Sequence, residues 1–339
     1  AVFPKGLNEE GAAAGHSLTL TVDEVIQYIA EKELDEAVSR SNAKSGTIIV
    51  MDPKTGAVLA MAVSPRFDPN TVGALAPDRW RNRALTDTYE PGSTMKTVIA
   101  AAALEEKVMT PGSMIYGENG QLSIANTVIH DHEKTGWMTF AQMIQKSSNI
   151  GAAKVGMALG EWRVFDYLKD FGFGDKTGID LPGEAVGLLR GPRQWGKRSL
   201  ASISMGQEVG VTPLQMVTAV SAITARTLTT LMEGVVTNGT GGKAAIPGFR
   251  VAGKTGTAQK VDPRTGAYSS TLLVGSFLGY VPAEDPRLAM IVVIDEPRGE
   301  GWGGVVAAPV FRRVGEQVLN YLGVAVDEPV KLAMAGLES

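Results

Sequence analysis

The sequence predicts an α+β fold: one antiparallel five-stranded sheet flanked by helices, completed by strands from both ends of the chain, with an all-α lobe between them. Three observations carry this expectation. Thr47–Met51 and Ala57–Val63 are two apolar runs around the turn Asp52-Pro-Lys-Thr-Gly56, the pattern of a β-hairpin. Phe249–Val261, Ser270–Val281 and Arg287–Asp295 read as a three-strand meander, turned by Asp262-Pro-Arg-Thr-Gly266 and Pro282–Pro286. The intervening stretch of about 185 residues reads mostly helical, with many Gly and Pro breaks. A cleft is expected where the sheet meets the helical lobe.

The elements follow in order. Residues 1–16 show no sustained periodicity and read as a tail, or the remnant of a preceding domain. Thr21-Val-Asp-Glu24 has capping-box spacing, and Val22, Val25, Ile26, Ile29 and Ala30 recur at helical intervals, which predicts an amphipathic helix over 22–40. After the hairpin comes the helical lobe, at approximately 75–245. The two Asp-Pro-(Lys/Arg)-Thr-Gly turns are one turn solution used twice, not an internal repeat. A helix over 307–322 closes the unit at about residue 325, and residues 326–339 read as a C-terminal tail.

Composition narrows the function. The 339 residues suit one large domain or two, with 44% hydrophobic and 20% charged residues. With 32 Lys+Arg against 36 Asp+Glu, the net charge of −4 argues against a nucleic-acid binder. The absence of cysteine removes disulfides, thiolate catalysis and thiolate metal sites. No run approaches the ~20 apolar residues of a membrane span. The thirteen methionines are scattered and read as core filling; Arg79–Arg83 and Glu105-Glu106-Lys107 read as solvated faces.

Three stretches could carry chemistry. In Tyr89-Glu-Pro-Gly-Ser-Thr-Met-Lys-Thr97, Ser93 falls near a helix N-terminus and Lys96, three residues on, shares its face. A serine hydroxyl needs a base within reach, and a lysine serves if burial leaves it neutral. A serine is also an ordinary helix cap, and S-x-x-K recurs by chance. In Gln145-Lys-Ser-Ser-Asn149, Ser147 and Asn149 present a hydroxyl and an amide on a turn between helices; the plainer reading is a polar turn. In Arg250-Val-Ala-Gly-Lys-Thr-Gly-Thr-Ala258, period two puts Thr255 and Thr257 on one side of the first meander strand, and Lys254 on the other. Gly256 leaves room for a second backbone, and the Thr257 and Ser93 amides can form an oxyanion hole. Gly248-Phe-Arg-Val-Ala-Gly-Lys-Thr255 formally matches a phosphate loop, but a turn to another strand follows it instead of a helix.

Ser-x-x-Lys, then Ser-x-Asn 54 residues later, then Lys-Thr-Gly 107 further on, is the ordered triple of the penicillin-recognising serine acyltransferases. With Gly210–Gln215, Ala252–Gln259 and Gly303–Phe311, the chain resembles the transpeptidase domain of class B penicillin-binding proteins over roughly 17–325. Within that family it is most similar to the septal, FtsI-type transpeptidases and their sporulation relatives. The resemblance implies the β-lactamase/transpeptidase-like fold. It makes Ser93 the nucleophile, Lys96 its base, Ser147 and Lys254 the proton shuttle, and Asn149 the holder of the substrate amide. Thr255, Gly256, Thr257, Trp302 and Gly303 would line the substrate cleft, with the Ser93 and Thr257 amides as the oxyanion hole. It implies no metal or organic cofactor. The partners would be peptidoglycan stem peptides, β-lactam antibiotics, a SEDS-type glycosyltransferase and divisome proteins.

The same resemblance implies a periplasmic domain anchored in the cytoplasmic membrane, with an anchor and a pedestal expected ahead of this unit. The family pattern also has some tens of residues where Ile223 here meets Thr224, so a segment is expected to be missing at that junction. Rival readings remain. A β-lactamase would need a second base for a deacylating water, with Glu161 and Glu184 left open. A D,D-carboxypeptidase would use water as acceptor, and a β-lactam-sensing receptor domain would stop at acylation. His130-Asp-His132 offers metal-ligand types in a row, but with no third anchor it reads as a surface loop.

Overall fold

The structure is a computed structural model, described for residues 16–68, 70, 79–125, 127–223 and 226–326. The first elements are α1 (Glu24–Arg40), β1 (Ser45–Met51), β2 (Val58–Ser64), α2 (Arg83–Thr86) and α3 (Lys96–Glu105). Four short strands follow, β3 (Met114–Tyr116), β4 (Gln121–Ile124), β5 (Thr127–His130) and β6 (Trp137–Thr139). Helices α4 (Phe140–Lys146), α5 (Asn149–Leu159), α6 (Glu161–Asp170), α7 (Ser199–Ser204), α8 (Pro213–Ser221) and α9 (Arg226–Asn238) complete the lobe. The chain then returns through β7 (Ala252–Val261), β8 (Tyr268–Val281), β9 (Leu288–Asp295), α10 (Gly303–Val306) and α11 (Ala308–Tyr321).

The sheet has the order β2-β1-β9-β8-β7, so the N-terminal hairpin is zipped onto the C-terminal meander through β1 and β9. Both central strands are buried on both faces, which is why they read as continuous apolar runs. Ile48, Val50, Met290 and Val292 pack beneath α1 and α11, while Ile49, Met51, Ala289 and Ile291 face the helical lobe. The product is three layers, with β7 left at the sheet's edge beside the lobe. Glu33 of α1 accepts from Arg313 and Gln317 of α11 at 2.5 and 2.9 Å, tying the outer helices together.

The repeated turn is the same at both sites. Asp52 and Asp262 each accept at the carbonyl from the glycine four residues on, at 2.8 Å, and at Oδ1 from the amide two residues on, at 2.9 Å. Gly56 and Gly266 close the turns at φ +76° and +69°, where a Cβ is disfavoured.

Three expectations need correction. Helix α1 is capped by Asp23, whose carboxylate accepts from the Val25 and Ile26 amides; Thr21 instead donates to the Val58 carbonyl, and Val22 and Val25 are 39% and 40% exposed. The lobe is not purely helical, because β3 pairs with β6 and β4 with β5 in two small ladders. Arg83 is not on a solvated face: it is buried and bonded to Asp87 at 2.9 Å. The expected tails fall largely outside the described residues, as do residues 224 and 225 at the junction where a segment was expected to be missing.

Candidate active site

The segment before Ser93 is held from two sides. Tyr89 exchanges backbone hydrogen bonds with Val211 at 3.0 and 2.9 Å, and the Gly92 amide donates to the Gly206 carbonyl at 3.0 Å. Glu90 accepts from the Glu208 amide and the Tyr268 hydroxyl, both at 2.8 Å. Gly92, at φ +54°, then lets the chain enter a 3₁₀ turn over Gly92–Met95 that runs into α3. Ser93 lies half-buried in that turn, and Lys96 is the first residue of α3, one 3₁₀ repeat on. A Cβ on Gly92 would stand 2.8 Å from the Thr257 carbonyl oxygen, so this turn rests directly on strand β7.

Gly256 belongs to the same contact. A Cβ there would meet the Pro91 carbonyl oxygen at 3.0 Å, the Thr94 methyl at 2.9 Å and the Ser276 hydroxyl at 2.3 Å. The second backbone that uses its missing side chain is the chain's own serine turn. Gly256→Ala is therefore expected to destabilise the domain by about 1–3 kcal/mol and to slow any reaction at Ser93. A melting curve and an acylation rate check this; unchanged values for both would contradict the packing described.

Two lysines converge on the Ser147 turn. Lys96 is fully buried, and its Nζ donates to the Ser147 carbonyl at 2.6 Å, to Asn149 Oδ1 at 2.8 Å and to Ser147 Oγ at 3.3 Å. Lys254, also buried, reaches Ser147 Oγ at 2.8 Å and the Thr255 carbonyl at 3.1 Å. Ser147 ends α4 in a left-handed conformation at φ 60°, unusual for a serine, which turns its carbonyl and hydroxyl toward one ammonium. Burial pushes Lys96 down to about 7, opposed by the negative charge of Asp131. Burial and the neighbouring charge of Lys96 hold Lys254 well below the usual lysine range. A lysine that releases its proton near neutral pH is a general base by environment. None of the hydrogen bonds among the described residues engages the Ser93 hydroxyl.

Of the remaining predicted residues, Thr255, Thr257 and Trp302 line the cleft, whereas Gly256 and Gly303 do not: Gly256 packs on the serine turn, and a Cβ on Gly303 would meet the Gly256 and Ser276 carbonyl oxygens at 2.2 Å. Thr255 Oγ1 lies 2.6 Å from Thr240 Oγ1, and Thr257 Oγ1 accepts from the Gly303 amide at 3.1 Å. Trp302 is 51% exposed and packs against His132 with ring centroids 5.2 Å apart and the ring planes tilted by 55°. Two chambers of about 580 and 720 Å³ share Ser93, His130, Asn149, Thr257 and Trp302. One extends toward Arg198, Glu208 and Tyr268, the other toward Ser147, Lys243 and Thr255. All three sequence stretches thus meet in one cleft, and Gly253-Lys254-Thr255 lies on a strand, as the rejection of a phosphate loop requires.

Several residues here carried no signal of their own in the sequence. Thr240 lies in a loop, and Glu90 and Glu208 act through partners distant in the chain. Asp131 departs most from expectation. Its histidine neighbours are exposed, but its carboxylate turns inward, accepting from the Ser148 hydroxyl and the Asn149 amide at 2.5 Å and the Ile150 amide at 3.0 Å. Of the glutamates left open as deacylation bases, Glu184 is spent on the Thr177–Gly178 turn and Glu161 sits in the first turn of α6. Neither lines the two chambers.

Chemically, such a cleft is equipped for acyl transfer through a serine ester, without a cysteine or a carboxylate as nucleophile. The comparisons agree with that class. A family model for the penicillin binding protein transpeptidase domain matches residues 46–316. Stage V sporulation protein D of Bacillus subtilis is 35% identical over 353 residues, covering 91% of this chain and 54% of that protein. The peptidoglycan D,D-transpeptidase FtsI of Escherichia coli K12 is 34% identical over 354 residues, covering 95% and 59%. The apo transpeptidase domain of Burkholderia pseudomallei penicillin-binding protein 3 superposes with a TM-score of 0.84 at 32% identity, covering 94% of this chain and all of that one. Penicillin-binding protein 3 of Mycobacterium tuberculosis complexed with ampicillin gives 0.85 at 29% identity, covering 91% and 79%. This chain belongs to the penicillin-binding-protein transpeptidase-domain family. It spans little more than half the length of the two curated relatives. Both of those alignments are longer than the chain itself, so each relative has residues within the matched span that have no counterpart here.

Proposed function

We propose that this domain is a serine D,D-transpeptidase that cross-links peptidoglycan stem peptides through an acyl-enzyme and is captured by β-lactams. The observation that carries the reading is the convergence of buried Lys96 and Lys254 on Ser147, in the cleft that holds Ser93. Ser93 Oγ attacks the penultimate D-alanyl carbonyl while neutral Lys96 takes the hydroxyl proton. The Ser93 and Thr257 amides receive the developing oxyanion. Collapse breaks the peptide bond, and the departing D-alanine amine takes a proton through Ser147 and Lys254. An amine from a second stem then attacks the ester, forms the cross-link and returns the proton to Ser93. Asn149 holds the substrate amide; Thr255 and Thr257 bind the terminal carboxylate; Trp302 completes the cleft, with Gly256 and Gly303 packed behind its wall. No step calls for a metal or an organic cofactor.

Similarity to the FtsI and stage V sporulation proteins supports a septal duty, with a SEDS-type glycosyltransferase and divisome proteins as partners. A peptidoglycan substrate, together with the likeness to FtsI, supports a position on the periplasmic side of the cytoplasmic membrane, joined to an anchor. Among the described residues no helix is long and apolar enough to cross a membrane. We take the catalytic unit as residues 17–325.

A peptide ending in D-Ala-D-Ala, supplied with and without a D-amino-acid acceptor, tests the reading by mass spectrometry. The expected products are free D-alanine and an acceptor-linked peptide. Hydrolysis alone in the presence of acceptor would make the domain a carboxypeptidase. Rapid β-lactam turnover without a lasting adduct would make it a β-lactamase, and a lasting adduct with no peptide chemistry a receptor.

A further inference from the structure

We propose that Asp131 is a positioning residue of this site, holding the Ser147–Asn149 turn against Lys96 and presenting a carboxylate to that lysine's charge. The inference rests on the acyl-transfer reading above and deepens it.

The carboxylate sits where three donors meet. Oδ2 accepts from the Ser148 hydroxyl, and Oδ1 from the Asn149 and Ile150 amides at the start of α5. Negative charge at that end of an 11-residue helix is favoured by the helix dipole. Next to it, Asn149 Nδ2 donates to the His130 carbonyl at 3.0 Å, which fixes the amide so that Oδ1 faces Lys96. Asp131 is itself anchored, its amide donating to the Gly120 carbonyl at 3.1 Å. A second strap joins the segment leading into that ladder to α5, since Lys154 bonds to Glu118, just ahead of β4, at 2.5 Å and to the carbonyl of Tyr116 at the end of β3 at 2.7 Å. The β4–β5 ladder thus clamps the turn that both lysines touch.

Asp131 also enters the charge balance. The groups facing Lys96 are Ser147 and Asn149 from the α4–α5 turn, Lys254 from β7 and Asp131 from the end of β5. Burial disfavours a proton on Lys96 and Asp131 favours it, so the carboxylate keeps Lys96 from becoming too weak a base. A residue that merely capped α5 would have no such effect.

The test is the second-order rate of Ser93 acylation by a penicillin between pH 5 and 9, in wild type, Asp131→Asn and Asp131→Glu. Removing the charge lowers the basicity of Lys96. The midpoint of the rising limb in Asp131→Asn should therefore move down by about one pH unit, with the plateau reduced about tenfold. Asp131→Glu keeps the charge and should hold the midpoint while losing plateau rate. If the asparagine variant does not fold, Asp131→Ser keeps a capping oxygen without charge and should show the same downward shift. A lowered plateau with an unmoved midpoint would overturn the proposal and leave Asp131 a helix cap. Wild type that is not acylated at any pH would overturn the acyl-transfer reading, and this inference with it.

Discussion

Ser93→Ala is expected to abolish covalent capture of β-lactams and to reduce D-alanine release by roughly 10⁶-fold, the scale of losing a nucleophile outright. The fold should survive. The Ser93 hydroxyl makes none of the hydrogen bonds among the described residues, so its removal strands no partner, and the turn is held by backbone bonds from Tyr89 and Gly92. Intact-protein mass after incubation with a penicillin, set beside a melting curve, reads both effects. The result also separates two serines. Ser147 Oγ is within reach of both lysine nitrogens and is the better bonded of the two hydroxyls. An adduct that persists in the alanine variant and maps to Ser147 would transfer the nucleophile's role to it.

Replacing the base should come next in size. Lys96→Met fills the aliphatic space of the stem and is expected to lower the acylation rate about 10³-fold. Its melting temperature should fall as well, because the Ser147 carbonyl and Asn149 Oδ1 lose their donor, an effect only partly offset by removing a costly buried amine. Lys96→Arg should be equally inactive, since a guanidinium keeps its proton in proteins. Stopped-flow acylation of the three proteins at pH 8 makes the comparison. An arginine variant at the wild-type rate would mean that position 96 acts as a fixed positive charge and not as a proton acceptor.

What could be read from the sequence divides along physical lines. Features written in contiguous residues were legible: the two Asp-Pro-x-Thr-Gly turns, the apolar runs of β1 and β9, and the three stretches around Ser93, Ser147 and Lys254. Local ambiguity blurred the start of α1, where Thr21 and Asp23 are both capping residue types and only the approach of the Val58 carbonyl decides between them. The strands β3 to β6 are three or four residues long, too short for a period of two to show. Asp131 was hidden for another reason. Its partners Ser148 and Asn149 lie 17 and 18 residues away, across a ladder that left no pattern, and its histidine neighbours suggested a solvent-facing loop. Gly256 was legible as a place for close approach, but what approaches it is the serine's own turn, which only the packing reveals.

The central claim is that a buried Lys96, which gives up its proton near neutral pH, activates Ser93. It is tested most directly by the pH dependence of wild-type acylation by a penicillin, followed at Ser93 by peptide mapping. Burial depresses Lys96 to about 7, so the base is protonated and idle below that pH and available above it. The rate should climb through one ionisation with a midpoint near 7 and level off by pH 8 to 9. A rate that stays flat down to pH 5, or rises only above pH 9 where an ordinary lysine titrates, would contradict the account.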